Sequence, residues 1–351
     1  MIALSRPLLA GACLLFVLMS GLDASGQILD STVIQAKVID ADARQKIQTY
    51  IAPPMSQLTA ADPDLKAVSE ARAKLVRVLD DINATPEFQD AISIMIAGQI
   101  DKALVSGKSE LVRMNAMIVI SRLTDDAPNG SKALIAAGLV DKSDAVQRWA
   151  MEALRRRAAR AKAANDTDEL GKLFKTIIDK LTEQDPPHPI VVTPGVKALL
   201  TIDTPASRKA VADLLISRRP LHAADPKLSY AAEQVGYQVL APSIVTAVPF
   251  DLKSGTALSA SAFRYASIIL GQFKSLDEDE ISDSAADMLY QCTVSIAQIT
   301  AGAGKQVPDG QTAAANAIGN GRWDDVQGLL DQWAVKLKAE PFNLTDEDLG
   351  L

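Results

Sequence analysis

The sequence predicts an all-α protein, and three observations lead to that fold class. Aromatic residues make up only 4% of the 351 residues, whereas 48% are hydrophobic, mostly Ala, Leu, Ile and Val. Such side chains pack well between closely spaced helices. Apolar residues recur at spacings of three and four along much of the chain, and alternating runs with a period of two are scarce. A fold built from helices alone is therefore expected.

The first 26 residues have the pattern of a secretory signal peptide. An uninterrupted apolar run covers 8–19, and Ala24 and Gly26 suit cleavage before Gln27. The run is shorter than the about 20 residues that a membrane-spanning helix needs. We therefore expect a secreted or periplasmic protein with no stable membrane span after cleavage. Retention of this segment as an anchor and lipid attachment at Cys13 are the alternatives.

Residues 27–84 are expected to form an N-terminal helical segment. Asp62 suits the N-cap of a helix here, and Pro63 suits its first helical position. The apolar side chains that follow recur at spacings of three and four and predict one buried face. They are Leu65, Val68, Ala71, Leu75, Val78, Leu79 and Ile82.

A further helix is predicted from Thr85, as N-cap, to Gly107, as the stop, with Pro86 in its first turn. Its continuous apolar centre, ISIMIAGQI, predicts burial on most sides. The best strand candidate is PIVVTPG, around Val191, but prolines bracket it and it has no partner run. Turns are predicted at TDDAPNGS, EQDPPHP, RRPLHAADP and GAGKQVPDG, which are too short to be interdomain linkers.

Internal repetition is the most informative feature of the chain. GKSELVRMNAMIVI, which begins at Gly107, aligns with DKSDAVQRWAMEAL, which begins at Asp141, and seven positions agree at a period of 34. Ala116 then corresponds to Ala150. A small residue at a fixed position of every second helix is what close packing of stacked helices requires. The same period recurs further along the chain at Ala198, Ala232 and Ala266.

The two aligned segments resemble the second helix of HEAT repeats. The pattern V-R-x-x-A-x-x-x-[IL] is met by 112–120 and, with Gln147 in place of Arg, by 146–154. The resemblance is clearest at 107–154 and extends over 85–275. It implies an α-solenoid, a right-handed superhelix of antiparallel helical hairpins, and a role in binding other proteins along a curved surface. The family's Arg helps to align successive repeats, so Gln147 is a departure from the pattern.

Residues 276–351 are expected to form a C-terminal helical capping segment. Its segment TAGAGKQ lacks the first Gly and the Ser or Thr of a phosphate loop, and AIGNGRW lacks the third Gly of a dinucleotide site. AIGNGRW instead predicts a turn between helices. Trp323 and Trp333 follow it and are expected to pack around a capping helix, and an exposed binding patch is the alternative.

Candidate catalytic and metal-binding residues are few. Cys292 lies in an apolar helical run and is expected to be a small buried hydrophobe. His188 and His222 lie in predicted loops, and neither is near a Cys or an acidic cluster with ligand spacing. The sequence therefore predicts no catalytic, cofactor-binding or metal-binding residue and no cofactor.

A basic helix, DAVQRWAMEALRRRAARAK at 144–162, contrasts with the formal net charge of −7. On a helical wheel, Arg148, Arg155 and Lys162 form a stripe opposite the apolar face, and Arg157 falls on the apolar side. The positive charge thus surrounds the end of the helix, and the acids of 166–169 can neutralise part of it. We expect no nucleic-acid binding from this helix.

The sequence therefore predicts an exported, non-enzymatic helical repeat protein that acts as a protein-binding scaffold or structural module. It does not identify the protein partner. The alternative is an enzyme or small-ligand-binding protein with a concave site lined by carboxylates and Arg.

Overall fold

The computed structural model describes residues 29–60, 64–104, 108–124, 130–183, 187–305, 307 and 309–351. All regular structure in these ranges is helical, and none of it is β-strand. The all-α prediction is confirmed. The predicted signal peptide, residues 1–26, lies outside the described residues, and the domain boundaries stay predictions. No helix in the described part of the chain is both long and apolar enough to cross a membrane.

Sixteen α-helices lie within these ranges. The first eight are α1 (Ser31–Ile34), α2 (Ala41–Thr59), α3 (Leu65–Leu79), α4 (Pro86–Ile100), α5 (Glu110–Ile120), α6 (Gly130–Leu139), α7 (Asp144–Ala163) and α8 (Thr167–Leu181). The others are α9 (Pro189–Ile202), α10 (Pro205–Ala224), α11 (Ala231–Val245), α12 (Leu252–Ser275), α13 (Ala285–Gly302), α14 (Gly310–Gly319), α15 (Trp323–Lys338) and α16 (Asp346–Leu349).

Helix α3 begins two residues later than predicted. Its N-cap is Asp64 and not Asp62, because the Asp64 carboxylate accepts hydrogen bonds from the backbone N–H groups of Lys66 and Ala67. Pro63, predicted at the first helical position, precedes the helix, and 61–63 lie outside the described residues. The predicted apolar face is buried except at its two ends, where Leu65 is 59% exposed and Ile82 is 96% exposed.

Helix α4 begins as predicted, with the Thr85 hydroxyl accepting from the N–H of Phe88 and Pro86 in the first turn. It ends at Ile100, well before the predicted stop at Gly107, and a 3₁₀ turn follows. Its apolar centre is not buried on most sides, since Ile94 and Gly98 are exposed. A continuous apolar run can therefore still leave one face of a helix in solvent.

Two stretches that suggested a strand and a turn are helical. PIVVTPG forms the start of α9. His188 caps this helix by accepting a hydrogen bond from the N–H of Ile190, and Val191 is fully buried. An apolar run cannot by its periodicity distinguish a buried strand from a buried helix. RRPLHAADP was predicted as a turn, but α10 continues through Pro220 to Ala224. Packing of the buried side chains on either side of Pro220 outweighs the backbone hydrogen bond that proline cannot make.

Six helices form what we call the central row: α3, α5, α7, α9, α11 and α13. Each packs against the next member of the row. The helices that alternate with them along the chain are α4, α6, α8, α10 and α12. Each of these packs on the row helix before it and on the row helix after it in sequence. Most helix contacts therefore join elements one or two apart along the chain.

The two aligned segments occupy equivalent positions in the row. Ala116 lies six residues after the start of α5 at Glu110, and Ala150 lies six residues after the start of α7 at Asp144. Both alanines are fully buried. The hydroxyls of Ser109 and Ser143, also 34 residues apart, cap the two helices in the same way. The two segments are therefore alike in how their helices are capped and in the burial of their aligned alanines.

Arg113 and Asp141 join the two repeated segments. The Arg113 side chain is 2% exposed, and its Nε and Nη2 donate to the Asp141 carboxylate at 2.8 and 3.0 Å. The same carboxylate accepts from the N–H of Ser143 at 2.9 Å, and the Asp141 carbonyl accepts from the Gln147 amide at 2.6 Å. Gln147 is thus hydrogen-bonded to Asp141, the same loop residue that forms the ion pair with Arg113 of the preceding segment.

The period of 34 does not continue in the later alanines. Ala198 lies nine residues after the start of α9, whereas Ala232 lies one residue after the start of α11. Ala266 lies in α12, which is not a member of the central row. All three are buried, but they do not occupy equivalent positions, so their spacing is a consequence of how common alanine is in the chain.

A glycine marks a close approach of helices in the region of the two aligned segments. A Cβ added to Gly138 in α6 would lie 2.7 Å from the Met117 Sδ of α5 and 3.0 Å from the Ala150 Cβ of α7. Both distances are shorter than ordinary van der Waals contact. The repeat alanine and this glycine together let three helices meet.

The C-terminal helices pack against α12 and α13. Trp333 of α15 is fully buried, and Trp323 at the start of α15 stacks on Phe273 with 4.2 Å between ring centroids. AIGNGRW forms the turn between α14 and α15, with Gly321 in the left-handed region at φ 63°. The two tryptophans therefore hold α15 to the helices before it.

Candidate binding groove

A groove of about 890 Å³ crosses three successive members of the central row. We call it the basic groove. Its walls come from α7, from α9, from the segment just before α11 and from the turn after α5. Its cationic residues are Arg122, Arg148, Arg155, Lys197 and Lys227, its acids are Glu152 and Asp225, and its apolar residues include Trp149, Pro189, Ile190, Pro194 and Leu228.

Two of the five cations are neutralised within the protein. Arg155 forms a two-point ion pair with Glu152, at 2.8 and 2.6 Å, on the same face of α7. Arg122 pairs with Asp80 at 2.9 Å, which joins the turn after α5 to the end of α3. Both arginines are partly buried, so their ion pairs hold the wall of the groove in place and their charges are not available to a ligand.

The other three cations have no ion-pair partner among the described residues. They are Arg148 on α7, Lys197 on α9 and Lys227 before α11, and all three are exposed. The Arg148 guanidinium lies 5.6 Å from the centroid of the Trp149 ring, which is a cation–π contact. The groove thus presents three positive charges, on α7, on α9 and in the segment before α11, that are free to meet an anion.

Glu152 remains ionised in this setting. Burial raises its pKa, but the hydrogen bond from Arg155 and the charges of Arg155, Arg156 and Arg122 outweigh burial, so the pKa lies below its ordinary value. The carboxylate is held by Arg155. It therefore does not cancel the charge of the three unpaired cations.

In the structure, the charged side chains of the basic helix do not form the solvent-exposed stripe that the helical wheel predicts. Arg148 and Arg155 share a side as predicted, but α9 and the segment before α11 turn that side into a groove wall. Lys162 pairs instead with Asp203 at 3.2 Å. Arg157 is buried, as its place on the apolar side predicted, and pairs with Glu169 at 2.6 Å.

The second notable group of charges is the buried cluster of Arg218, His222 and Glu233. His222 was predicted to lie in a loop away from acids; it lies in α10, fully buried, and its Nε2 is 2.9 Å from Glu233 Oε1. Arg218 Nε donates to the same oxygen at 2.7 Å. The His222 ring stacks on Tyr230 at 4.0 Å. The two partners of Glu233 lie 15 and 11 residues before it, across a turn.

The buried cluster is not fully hydrogen-bonded within the protein. Arg218 Nη2, His222 Nδ1 and Glu233 Oε2 have no partner among the described residues. Burial raises the pKa of Glu233, but the hydrogen bond from His222 and the charge of Arg218 outweigh it, so the pKa lies below its ordinary value. Glu233 is therefore ionised, and it is the only carboxylate that Arg218 and His222 contact among the described residues.

The remaining candidates for chemistry have structural surroundings. Cys292 is a fully buried residue of α13, as predicted, and burial raises the pKa of its thiol well above the ordinary range. His188 caps α9 through Nδ1, which accepts from the N–H of Ile190. No group of three or more His, Cys, Asp or Glu side chains in the described ranges is arranged to hold a metal ion.

Comparisons with other proteins identify no family for this chain. No protein-family model matches the sequence, and no characterised protein matches it. The crystal structure of an engineered protein, a structural genomics target, is similar over 88% of this chain and 98% of its own, at 16% sequence identity and a TM-score of 0.23. A TM-score this low carries no argument about fold or function.

The basic groove could not be found from the sequence, because its lining comes from segments that lie far apart in the chain. A helical wheel of α7 shows which of its residues share a side. It does not show that Lys197 and Lys227 face the same space as Arg148.

Proposed function

We propose that this chain is an exported, non-enzymatic helical repeat protein that binds a protein partner through the basic groove. The observation that carries the proposal is that three cations, on α7, on α9 and in the segment before α11, open onto one concave surface and have no ion-pair partner among the described residues. Repeat proteins bind partners along surfaces of this kind, to which each repeat contributes side chains.

The proposal includes a HEAT-like right-handed superhelix of antiparallel helical hairpins. Its support is the repeated pair of segments, with equivalent capping serines and equivalent buried alanines at Ala116 and Ala150. The pairing of Arg113 with Asp141 of the next segment is the kind of inter-repeat contact that aligns such helices. The packing of each central-row helix on the next also fits a stack of repeats.

The lining of the groove suits a protein partner. Trp149 and Arg148 are of the residue types that are enriched where proteins bind one another, and Ile190 and Leu228 add apolar surface beside them. The cations would speed association with an acidic surface and favour it over a basic one. The net charge of −7 for the whole chain works against indiscriminate binding to polyanions.

The second candidate is a small anionic ligand in the same groove. The volume of about 890 Å³ lies within the range of small-molecule sites, and Glu152 and Asp225 add acceptors beside the cations. Such a ligand would protect the purified protein against heat without any partner protein, so a thermal-shift screen of small dicarboxylates and phosphate esters tests this candidate.

Capture of partners from the cells that make the protein tests the scaffold proposal. The mature chain, from Gln27, is compared with the variant Arg148→Ala/Lys197→Ala/Lys227→Ala. The matched control is Lys46→Ala/Lys66→Ala/Lys175→Ala, which also removes three charges, but from exposed pairs with acids four residues away in the same helix. We expect a protein that co-elutes with the wild type and the control and is lost from the groove variant. Identical co-eluting proteins for all three chains would contradict the proposal.

Export is tested separately. We expect the protein in the medium or the periplasm, with an N-terminus at Gln27 by terminal sequencing. Recovery from the cytosol with residues 1–26 intact would reject export, and it would leave the groove and its partner to be tested as above.

A further inference from the structure

We propose that two copies of this chain associate through the basic groove, and that each copy places the acidic loop between its α12 and α13 against the groove of the other. The acidic loop is residues 277–283. This pairing rests on the proposed function and identifies the protein partner as a second copy of the same chain. The observation behind it is that the acidic loop lies directly beside the groove.

The acidic loop concentrates negative charge at the surface. Its sequence is DEDEISD, and it joins α12, which ends at Ser275, to α13, which begins at Ala285. Four of its acids have exposed side chains and no ion-pair partner among the described residues: Asp277, Asp279, Glu280 and Asp283. The charge of the loop is therefore available to cations from outside the chain.

The acidic loop packs against the segment that carries Lys227. The backbone N–H of Ser282 donates to the Pro226 carbonyl at 2.9 Å. Just after the loop, the Ser284 hydroxyl accepts from the backbone N–H of Tyr230 at 2.9 Å. The segment before α11 also lines the groove. The groove and the acidic loop are therefore adjacent on the protein.

The three cations of the groove that have no ion-pair partner among the described residues are accessible to a second copy. They are Arg148, Lys197 and Lys227, and all three are exposed. The acids already in the groove are held by other groups.

Glu152 is bonded by Arg155 at 2.6 Å, and Asp225 accepts from the backbone N–H of Lys227 at 3.0 Å. Neither acid forms an ion pair with the three cations in the part of the chain that the structure describes. Acids of a second copy therefore meet these cations without first displacing an internal partner.

Positive and negative charge follow one another along the central row. In chain order, the cations lie on α7, on α9 and in the segment before α11, and the acids lie in the loop before α13. A second copy whose row runs in the opposite direction places its acids against these cations and its cations against these acids. In a two-fold symmetric pair both contacts form together, because each patch meets the complementary patch of the other copy.

The acidic loop also disfavours other ligands of the groove. A uniformly acidic ligand that fills the groove and extends past Lys227 would meet the acids of the loop, and like charges placed together oppose binding. A ligand with basic groups beside its acidic groups avoids this repulsion, and the chain itself has that order of charges. A second copy is therefore a better match than a nucleic acid, whose backbone is negative throughout.

Charge reversal tests the pairing. The reversed-groove chain carries Arg148→Glu/Lys197→Glu/Lys227→Glu, the reversed-loop chain carries Asp277→Lys/Asp279→Lys/Asp283→Lys, and a third chain carries both sets. Two matched controls change the net charge by the same amounts at exposed helix pairs elsewhere. They are Lys46→Glu/Lys66→Glu/Lys175→Glu and Asp42→Lys/Glu70→Lys/Asp179→Lys.

Sedimentation velocity of the mature chain, from Gln27, measures self-association over a range of protein concentrations. Salt is set at about 0.1 M and about 1 M, at which charges are screened beyond about 10 Å and about 3 Å. We expect the wild type to associate at the lower salt and to dissociate at the higher. The controls should stay close to the wild type, because charges far from the contact are screened.

Each reversed chain alone should associate at least about tenfold more weakly than the wild type, since each exposed ion pair contributes a few-fold and every contact occurs twice. An equimolar mixture of the reversed-groove and reversed-loop chains should recover association, because both contacts again join opposite charges. The chain with both sets should recover it as well, for the same reason.

Three results would overturn the pairing. One is a wild type that remains monomeric at the lower salt, the second is association that neither reversal weakens, and the third is a mixture of the two reversed chains that does not associate. Circular dichroism checks that each chain is folded. If a reversed chain is not, the chain with Ala at the same three positions replaces it and should show the loss of association.

The failure of this pairing can be told apart from the failure of the proposed function. If the wild type is monomeric but the variant Arg148→Ala/Lys197→Ala/Lys227→Ala still loses its captured protein, the partner is not a second copy and the scaffold function stands. If the wild type is monomeric and capture is also unchanged, both are wrong.

Discussion

The basic groove and the buried cluster contain the same kinds of side chain in opposite surroundings. In the groove, Arg148 and Lys197 are exposed and have no ion-pair partner among the described residues. In the cluster, Arg218, His222 and Glu233 are buried and contact one another at 2.7–2.9 Å. Charge in the groove is available to a ligand at little cost to the fold, whereas charge in the cluster is committed to holding α10 against α11.

The largest effect is expected at the buried cluster. Glu233→Gln leaves the Arg218 charge buried without a counter-charge, so the free energy of unfolding should fall by about 3–5 kcal/mol. Urea denaturation followed by circular dichroism measures this. Glu70→Gln is the control, because Glu70 forms an exposed pair with Lys66, and we expect it to change stability by less than about 0.5 kcal/mol. Equal effects of the two substitutions would show that the cluster does not support the fold.

The second prediction compares tightly packed and open positions through two glycines. Gly138→Ala places a Cβ against Met117 and Ala150 and should cost about 1–3 kcal/mol. Gly171→Ala, in α8, meets no atom within 4 Å and should stabilise the protein by about 0.5–1 kcal/mol. Thermal unfolding of both variants measures the contrast. A stabilising Gly138→Ala would mean that α5, α6 and α7 are packed less closely than described.

The pH dependence of stability gives a third test of the cluster. The pKa of Glu233 is lower in the folded chain than in the unfolded chain, so its contribution is present above the unfolded value of about 4.3. That contribution is lost as the pH falls through the lower, folded value. The stability difference between the wild type and Glu233→Gln should therefore shrink below about pH 4, by at most about 1.4 kcal/mol per pH unit.

Unfolding curves at pH 7, 5, 4 and 3 measure this difference. A difference that stays constant across the whole range would mean that folding does not lower the pKa of Glu233. His222, Arg218 and the tyrosines around them are present in both proteins, so the comparison isolates the carboxylate.

The smallest effect on stability is expected in the groove. The variant Arg148→Ala/Lys197→Ala/Lys227→Ala removes no ion pair among the described residues, so each substitution should change stability by less than about 0.5 kcal/mol. Thermal unfolding beside the wild type checks this. A large loss of stability would show that these cations support the fold and are not reserved for a ligand.

The sequence was most informative where a helix is determined by its own residues. Thr85 and Pro86 mark the start of α4, and the agreement around Ala116 and Ala150 identifies a pair of equivalent helices, because capping and close packing depend on local residue types. The end of α4 at Ile100 was missed, since no residue near it has a strong stopping preference.

The sequence was least informative where distant segments meet. Pro220 suggested a turn, but tertiary packing keeps α10 helical, so His222 and Glu233 become neighbours across a connection that local patterns do not reveal. The basic groove has the same origin. Arg148, Lys197 and Lys227 are unremarkable in their own segments, and only the packing of α7, α9 and α11 brings them to one surface.

The hydrogen bonds of Asp141 restrict changes in the length of the loop between α6 and α7 during evolution. Its carboxylate holds Arg113 from the segment before and the N–H of Ser143 just after, and its carbonyl holds Gln147. One inserted or deleted residue between α6 and α7 would move Asp141 out of register either with Arg113 or with Ser143 and Gln147. Length variation among relatives should therefore avoid this loop.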